Sequence, residues 1–223
     1  MRFKFDLVAT EEMPTISTPN GRFYRTPTGE QYPSVTTVLG AQPEKKSILD
    51  KWRERIGRDA AEKISSQAAR RGTEVHALIE NYVLNEILPS KDLALSHKYI
   101  FAGMRSVIDK NLEIVRGVEL PLYSHRLKLA GRTDMIGRWN GVNAVIDYKT
   151  SKRTKREEWC KDYFIQTTAY SIMFEEMTGI EVPNVVVLIG VDDEALPQVF
   201  VRPRNDYVHD LFRIINEFHE NNH

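Results

Sequence analysis

The sequence predicts an α/β (α+β) protein in which a mixed central sheet is flanked by helices and preceded by a helical N-terminal half. Apolar residues recur at helical spacing through most of the first half, whereas three consecutive segments after Ile114 have the pattern of strands. Asn140-Gly141 is a strong hairpin signal between the last two of these segments. Alternating helix and strand patterns follow, which indicates a layered fold.

The elements of the first half are separated by weak breakers. Residues 1–33 hold four of the ten prolines, which indicates an irregular or hairpin-like start. Residues 34–39 fit either a short strand or a helical turn capped by Ser34. The predicted helices cover residues 46–57, 58–69, 72–85 and 91–111.

The second half alternates between strands and helices. Gly179 is expected to end a helix that begins near residue 157, and Asp206 is expected to cap the last helix, which runs to about residue 220. The predicted strands cover residues 114–123, 127–139, 142–148, 184–191 and 198–201.

Length and composition restrict the class of protein. A chain of 223 residues is predicted to form one domain, 1–223. Its 31 basic and 31 acidic residues balance, so a site for a polyanion requires local clustering of charge. The lone Cys160 excludes a disulfide framework and an iron–sulfur cluster supplied by four cysteines of this chain, and it favours the cytoplasm. No apolar run approaches the roughly 20 residues of a spanning helix, so we expect a soluble protein without membrane contact.

Two acids and a lysine lie within the predicted strands. Asp147 and Lys149 are two apart and face the same side of their strand, and the hairpin brings the strand of Asp134 alongside. Two converging carboxylates favour Mg²⁺ or Mn²⁺, and the lysine could orient or deprotonate a water molecule or neutralise charge on phosphorus. The alternative is an ion pair at a strand end. The apolar run 144–146 argues against it, because an unpaired charge on a covered strand is costly.

Four short motifs occur in a fixed order along the chain. They fit the patterns G-x-x-x-H, G-x-x-D, D-x-K and Q-x-x-x-Y, and with them the chain resembles the RecB-like branch of the PD-(D/E)XK nuclease superfamily. Within that branch it is most similar to the mitochondrial genome maintenance exonucleases and their bacteriophage relatives, which also carry a Pro-Ser-Val-Thr stretch like residues 33–36. The motifs here are Gly72-Thr-Glu-Val-His76, Gly131-Arg-Thr-Asp134, Asp147-Tyr-Lys149 and Gln166-Thr-Thr-Ala-Tyr170.

The resemblance implies a restriction-endonuclease-like core and a set of roles. Asp134 and Asp147 would bind Mg²⁺ or Mn²⁺, with His76 as a further ligand and the Tyr148 backbone carbonyl completing the shell. Lys149 would activate the attacking water. Residues 114–223 would form the catalytic core, and residues 34–113 a helical region over the active site that threads single-stranded DNA.

Three further residues have two interpretations. Glu119 is either an outer or second-metal ligand or an ordinary carboxylate at a strand edge. Gln166 and Tyr170 share one helix face. They either support the site, by holding a phosphate, the lysine or a base, or pack in the core.

Two basic sets are candidates for contact with DNA phosphates. The first follows the Asp147-Tyr-Lys149 motif, and the second lies in the helical half, where Trp52 and Tyr82 could stack on bases or pack between helices. The first set is Lys152, Arg153, Lys155 and Arg156, and the second is Arg53, Arg55, Arg58, Arg70 and Arg71.

These features predict a metal-dependent exonuclease that acts on single-stranded DNA ends in the cytoplasm, or the host cytoplasm for a bacteriophage protein. DNA is the expected partner, and replication or recombination proteins are candidates. One alternative is a structure-specific or flap endonuclease on the same core. Another is a non-catalytic DNA-binding scaffold, which would have no need for the buried carboxylate pair.

Overall fold

The computed structural model describes residues 3–86 and 93–221. It contains a mixed six-stranded sheet and a small three-stranded antiparallel sheet near the N-terminus. The predicted class, a mixed central sheet flanked by helices, is confirmed. The start of the predicted helix 91–111 lies outside the described residues. The strands are β1 (Lys4–Phe5), β2 (Thr15–Thr18), β3 (Gly21–Arg25), β4 (Gln31–Pro33), β5 (Leu112–Ser124), β6 (Leu129–Trp139), β7 (Val142–Ser151), β8 (Asn184–Val191) and β9 (Gln198–Pro203).

Helices cover both faces of the large sheet, whose strand order is β1-β5-β6-β7-β8-β9. Neighbouring residues of β7 point to opposite faces: Ile146 packs in one apolar cluster with Val75 and Met104, and Val145 in another with Ile165. Burial on both faces explains the continuous apolar run of β7. The helices are α1 (Val35–Gly40), α2 (Pro43–Ile56), α3 (Arg58–Val83), α4 (Leu95–Asn111), α5 (Lys161–Thr178) and α6 (Asn205–Glu220).

The central strands diverge at one point. The antiparallel pairing of β6 with β7 extends from Trp139↔Val142 only to Met135↔Ile146. Beyond it, β6 continues beside β5, and β7 continues in parallel beside β8 to Ser151↔Val191. The two strands therefore form a fork, and Asp134 and Asp147 are the first residues at its opening.

Local details differ from the sequence predictions in three places. The predicted helices 58–69 and 72–85 are one helix, α3, because a single internal glycine costs only about 1 kcal/mol and packing on the sheet outweighs it. Ser34 caps the helix α1, its Oγ accepting the Thr37 N–H at 3.0 Å, so residues 34–39 are not a strand. Asp206 is not the cap of α6, because the chain enters that helix directly after Pro203, and Asp206 lies in the first turn.

The N-terminal segment takes the hairpin-like alternative. β2 and β3 join through a tight turn in which Thr18 pairs with Gly21, and β4 adds a third strand. A parallel bridge between Ser34 and Ala130 holds this sheet against β6. Within the described part of the chain, no helix has the length and apolar composition needed to cross a membrane.

Candidate active site

Asp134 lies where the backbone pairing of β6 and β7 ends. Its Oδ2 accepts the Tyr148 N–H at 2.7 Å, so the carboxylate replaces the missing backbone partner on β6. Burial alone would raise the pKa of Asp134, but the adjacent His76 and the Tyr148 N–H hold it below its ordinary value. An ionised carboxylate is therefore fixed at the opening of the fork.

His76 reaches the fork from α3, one turn after Gly72. Its Nδ1 is 3.5 Å from Asp134 Oδ1, and its Nε2–H donates to the Tyr148 carbonyl oxygen at 2.8 Å. Burial opposes protonation of the ring, but the Asp134 carboxylate outweighs it and raises the pKa of His76. The imidazole thus bridges two oxygens that the family resemblance implies as metal ligands.

Glu119 joins this group from β5. Leu120 pairs with Thr133 and Val118 with Met135, so Glu119 and Asp134 are cross-strand neighbours. Glu119 has a φ of 48°, in the left-handed region that is unusual for this residue type. Burial, together with the charge of Asp134, raises the pKa of Glu119 to about 7.

Asp147 forms an ion pair with Lys149 on the same face of β7. Lys149 Nζ lies 2.6 Å from Oδ1 and 2.5 Å from Oδ2 of the carboxylate, which is almost fully buried. Burial raises the pKa of Asp147 to about 6, with Asp134 adding to the effect and Lys149 opposing it. Burial would lower the pKa of Lys149, but the two aspartates outweigh it and raise that pKa.

The donor atoms at the fork suit a divalent cation. One ligand atom each from His76, Glu119 and Asp134 lie within 4.8 Å of one another. Asp147 is outside that group. Its buried Oδ2 lies 2.5 Å from the Lys149 ammonium but accepts no hydrogen bond of acceptable geometry from the described residues. Carboxylates with one imidazole are a donor set that Mn²⁺ accepts, and carboxylates with a carbonyl oxygen suit Mg²⁺. The residues present therefore fit the predicted metal, with Glu119 in a more direct position than the sequence indicated.

Gln166 and Tyr170 of α5 lie on a cavity next to the fork. Glu119 also lines this cavity. Burial raises the pKa of the Tyr170 phenol, and the neighbouring Gln166 side chain opposes this effect. The Tyr170 ring is buried against Gly131, where a Cβ would lie 2.7 Å from its Cε1 atom. The two motifs that contain Gly131 and Tyr170 are thus linked by direct packing, and Tyr170 belongs both to the core and to the cavity wall.

The predicted DNA-binding residues divide by exposure. Lys155 is half-buried, and Lys152, Arg153, Arg156 and Arg53 are exposed. Arg71 is 7% exposed and its guanidinium pairs with Asp192 at 2.9 Å, so its charge already has a partner. Tyr82 packs edge-on against Phe3 and Phe101 in the core, so of its two predicted roles the structure has packing between helices and not stacking on a base.

Sequence reasoning did not place two features near the site. The Tyr163 ring lies 5.2 Å from Lys149 Nζ, in a cation–π contact. Arg22 and Tyr24 of β3 line the same cavity as Glu119, although they are about 100 residues from it in sequence. The alternation of polar and aromatic residues after Asn20-Gly21 is the signal of a strand with two distinct faces, but it does not indicate what those faces contact.

Comparisons with known proteins agree with this geometry. The family model described as "PD-(D/E)XK nuclease superfamily" matches residues 49–221. Mitochondrial genome maintenance exonuclease 1 of Mus musculus is 28% identical over 132 residues, which is 55% of this chain and 38% of the mouse protein. The Homo sapiens protein of the same name is 27% identical over 143 residues, 61% of this chain and 39% of that protein. The chain thus spans about two fifths of the length of these relatives.

One solved structure, "Crystal structure of SSO0001", has a TM-score of 0.37 and 15% identity, and the match covers 83% of this chain and 73% of that one. A likeness of this size carries no weight for the function.

Proposed function

The chain belongs to the PD-(D/E)XK nuclease superfamily, and from that premise we propose that it is a divalent-metal-dependent exonuclease acting on single-stranded DNA ends. The observation that carries the proposal is the convergence at one fork of His76, Glu119 and Asp134 with the Asp147–Lys149 pair. A non-catalytic scaffold would have no use for carboxylates whose burial must be offset by a specific cation.

Each residue at the fork has a chemical task in phosphodiester hydrolysis. Mg²⁺ or Mn²⁺, when bound, supplies positive charge that neutralises the phosphate oxygens. His76, Glu119 and Asp134 would hold that ion, and Asp147 and the Tyr148 carbonyl would offer further oxygens. Lys149 presents an ammonium group beside the scissile phosphate, where it orients the attacking water and offsets the charge that develops on phosphorus. Asp147 and the Tyr163 ring fix the position of this ammonium.

The helical region supports a single-stranded substrate. None of the α2 residues is buried, and residues 62–70 of α3 are all exposed. This exposed arm carries Arg53, Arg55 and Arg58, and α2 presents Ile48 and Trp52 on one shallow apolar surface. Positive charge with an aromatic ring is the combination that binds flexible single strands, whereas a duplex is stiff. The name "exonuclease" of the two relatives supports action at ends.

The experiment compares one DNA sequence as a linear strand, a closed single-stranded circle and a blunt duplex, each incubated with Mg²⁺ and followed on a gel. We expect the linear strand to be degraded to mononucleotides or short oligonucleotides while the circle and the duplex persist. Excess EDTA should stop the reaction, because the fork then lacks its cation. Asp147→Asn is the matched inactive control, since it keeps the shape and removes the charge.

Two results would contradict parts of the proposal. Undiminished cleavage in EDTA would remove the metal-dependent assignment. Circles cut as fast as linear strands would exclude the need for a free end and favour the endonuclease alternative.

A further inference from the structure

A cavity of about 350 Å³ opens beside the fork, between the small N-terminal sheet and the β5, β6 and α5 layer. Its volume lies at the lower end of the range for small-ligand sites, about 300–1,000 Å³. Glu119 lines this cavity and is also one of the three candidate metal ligands, so a ligand in the cavity would lie next to the predicted metal. The cavity is therefore placed to hold the part of a substrate next to the reacting phosphate.

Two guanidinium groups line the cavity. Arg22 makes no ion pair with any residue in 3–86 or 93–221, so its positive charge is available to a ligand. Arg132 donates to the Glu119 carbonyl oxygen and pairs with Glu12, whose side chain is 74% exposed. A phosphate could displace an exposed carboxylate from a guanidinium at little cost, because both are solvated anions.

The rest of the wall suits a nucleoside. Tyr24 and Tyr170 are buried aromatic side chains at the cavity, and Gln166 presents an amide there. A phenol hydroxyl and an amide can each hydrogen-bond to the polar edge of a base or to a sugar hydroxyl. Arginines for a phosphate together with phenol and amide groups for a base make a pocket suited to a mononucleotide.

We propose that this cavity is a subsite for the terminal nucleotide of the DNA strand, with the terminal phosphate held by Arg22 and Arg132. The proposal rests on the function proposed above and adds to it the recognition of the strand end. Arg22 and Tyr24 lie on β3 of the small N-terminal sheet. The family match begins at residue 49, so this wall of the subsite lies outside the matched residues.

The test is calorimetric titration of the full chain with thymidine 5′-monophosphate, thymidine 3′-monophosphate and thymidine, in excess EDTA so that no metal contributes to binding. Arg25 is the matched control, because it is an exposed arginine on the same strand and does not line the cavity. Arg22→Ala should weaken monophosphate binding about 10- to 100-fold, the range for loss of one charge-assisted hydrogen bond. Arg25→Ala should leave it unchanged, and neither variant should alter thymidine binding.

The tighter-binding monophosphate identifies the end that the subsite recognises. Monophosphates that bind no better than thymidine would overturn the proposal, and so would an equal loss in Arg25→Ala and Arg22→Ala. This titration involves no cleavage, so its failure is separate from failure of the nuclease assay. A chain that degrades linear strands but binds no monophosphate would lose only the subsite.

Discussion

The ring of Tyr170 lies so close to Gly131 that a Cβ at that glycine would be 2.7 Å from Cε1 and 2.9 Å from the phenol oxygen. The other motif glycine, Gly72, has its nearest such neighbour, Thr150 Oγ1, at 4.0 Å. Gly131 is thus required by space, whereas Gly72 leaves room for a methyl group. The two motif glycines therefore differ: lack of space excludes a side chain at Gly131 but not at Gly72.

We expect Gly131→Ala to destabilise the protein by about 1–3 kcal/mol, because the buried Tyr170 ring cannot move away freely. Gly72→Ala, inside α3, should instead be neutral or stabilising by up to about 1 kcal/mol. Urea unfolding of both variants measures the difference.

The clash itself can be tested by adding Tyr170→Leu, which removes the ring. In that background Gly131→Ala should cost less than in the native chain. An unchanged cost would mean that the glycine serves another purpose.

Lys149→Ala should lower the rate of DNA cleavage by roughly 10²- to 10⁴-fold, the range for loss of a positioned proton-transfer or electrostatic group. Affinity for DNA should change far less, since Lys149 is one of several cations near the phosphates. Single-turnover cleavage at saturating DNA measures the rate, with the exposed Lys152→Ala as control. Normal cleavage by Lys149→Ala would leave the lysine as an ion-pair partner only.

Binding of Ca²⁺, used as a probe of the metal site, should strengthen as the pH rises. The pKa of Glu119 is raised to about 7 and that of Asp147 to about 6 in the metal-free protein, so below these values a cation must displace protons. We expect calorimetry to give tighter Ca²⁺ binding at about pH 8 than at about pH 5.5. Above about pH 8 the affinity should change little, because both carboxyl groups are already ionised. Glu119→Gln should weaken binding and flatten this dependence. Equal affinities at both pH values would contradict the raised pKa values.

Arg71 and Arg53 should separate stability from DNA binding. Arg71→Ala leaves the half-buried Asp192 without its partner and should cost about 1–3 kcal/mol of stability. Arg53→Ala changes an exposed side chain and should alter stability by less than about 0.5 kcal/mol. We expect the Arg53 variant, assayed at several salt concentrations, to show weaker DNA binding. A loss of stability in Arg53→Ala but not in Arg71→Ala would contradict the assignment of Arg71 to stability and Arg53 to DNA binding.

Local sequence patterns were sufficient to predict much of the fold. Residues 144–146 and 185–189 are continuous apolar runs, because these parts of β7 and β8 are buried on both faces, and Gly179 ends α5 in the left-handed conformation as predicted. These features depend on interactions between near neighbours in the chain. The break predicted at residues 70–71 was wrong for the complementary reason: packing of α3 on the sheet outweighs a weak local signal.

The sequence by itself determined which residue types are available at the site: the two aspartates, the lysine, the histidine and the Gln-Tyr pair of α5. Only the tertiary structure decided how they meet. The register of β5 against β6 makes Glu119 a neighbour of Asp134, and the end of the β6–β7 pairing opens the fork. The N-terminal sheet brings Arg22 beside α5. Such contacts join residues far apart in the chain, and they are selected by the packing of whole elements, which no short pattern encodes.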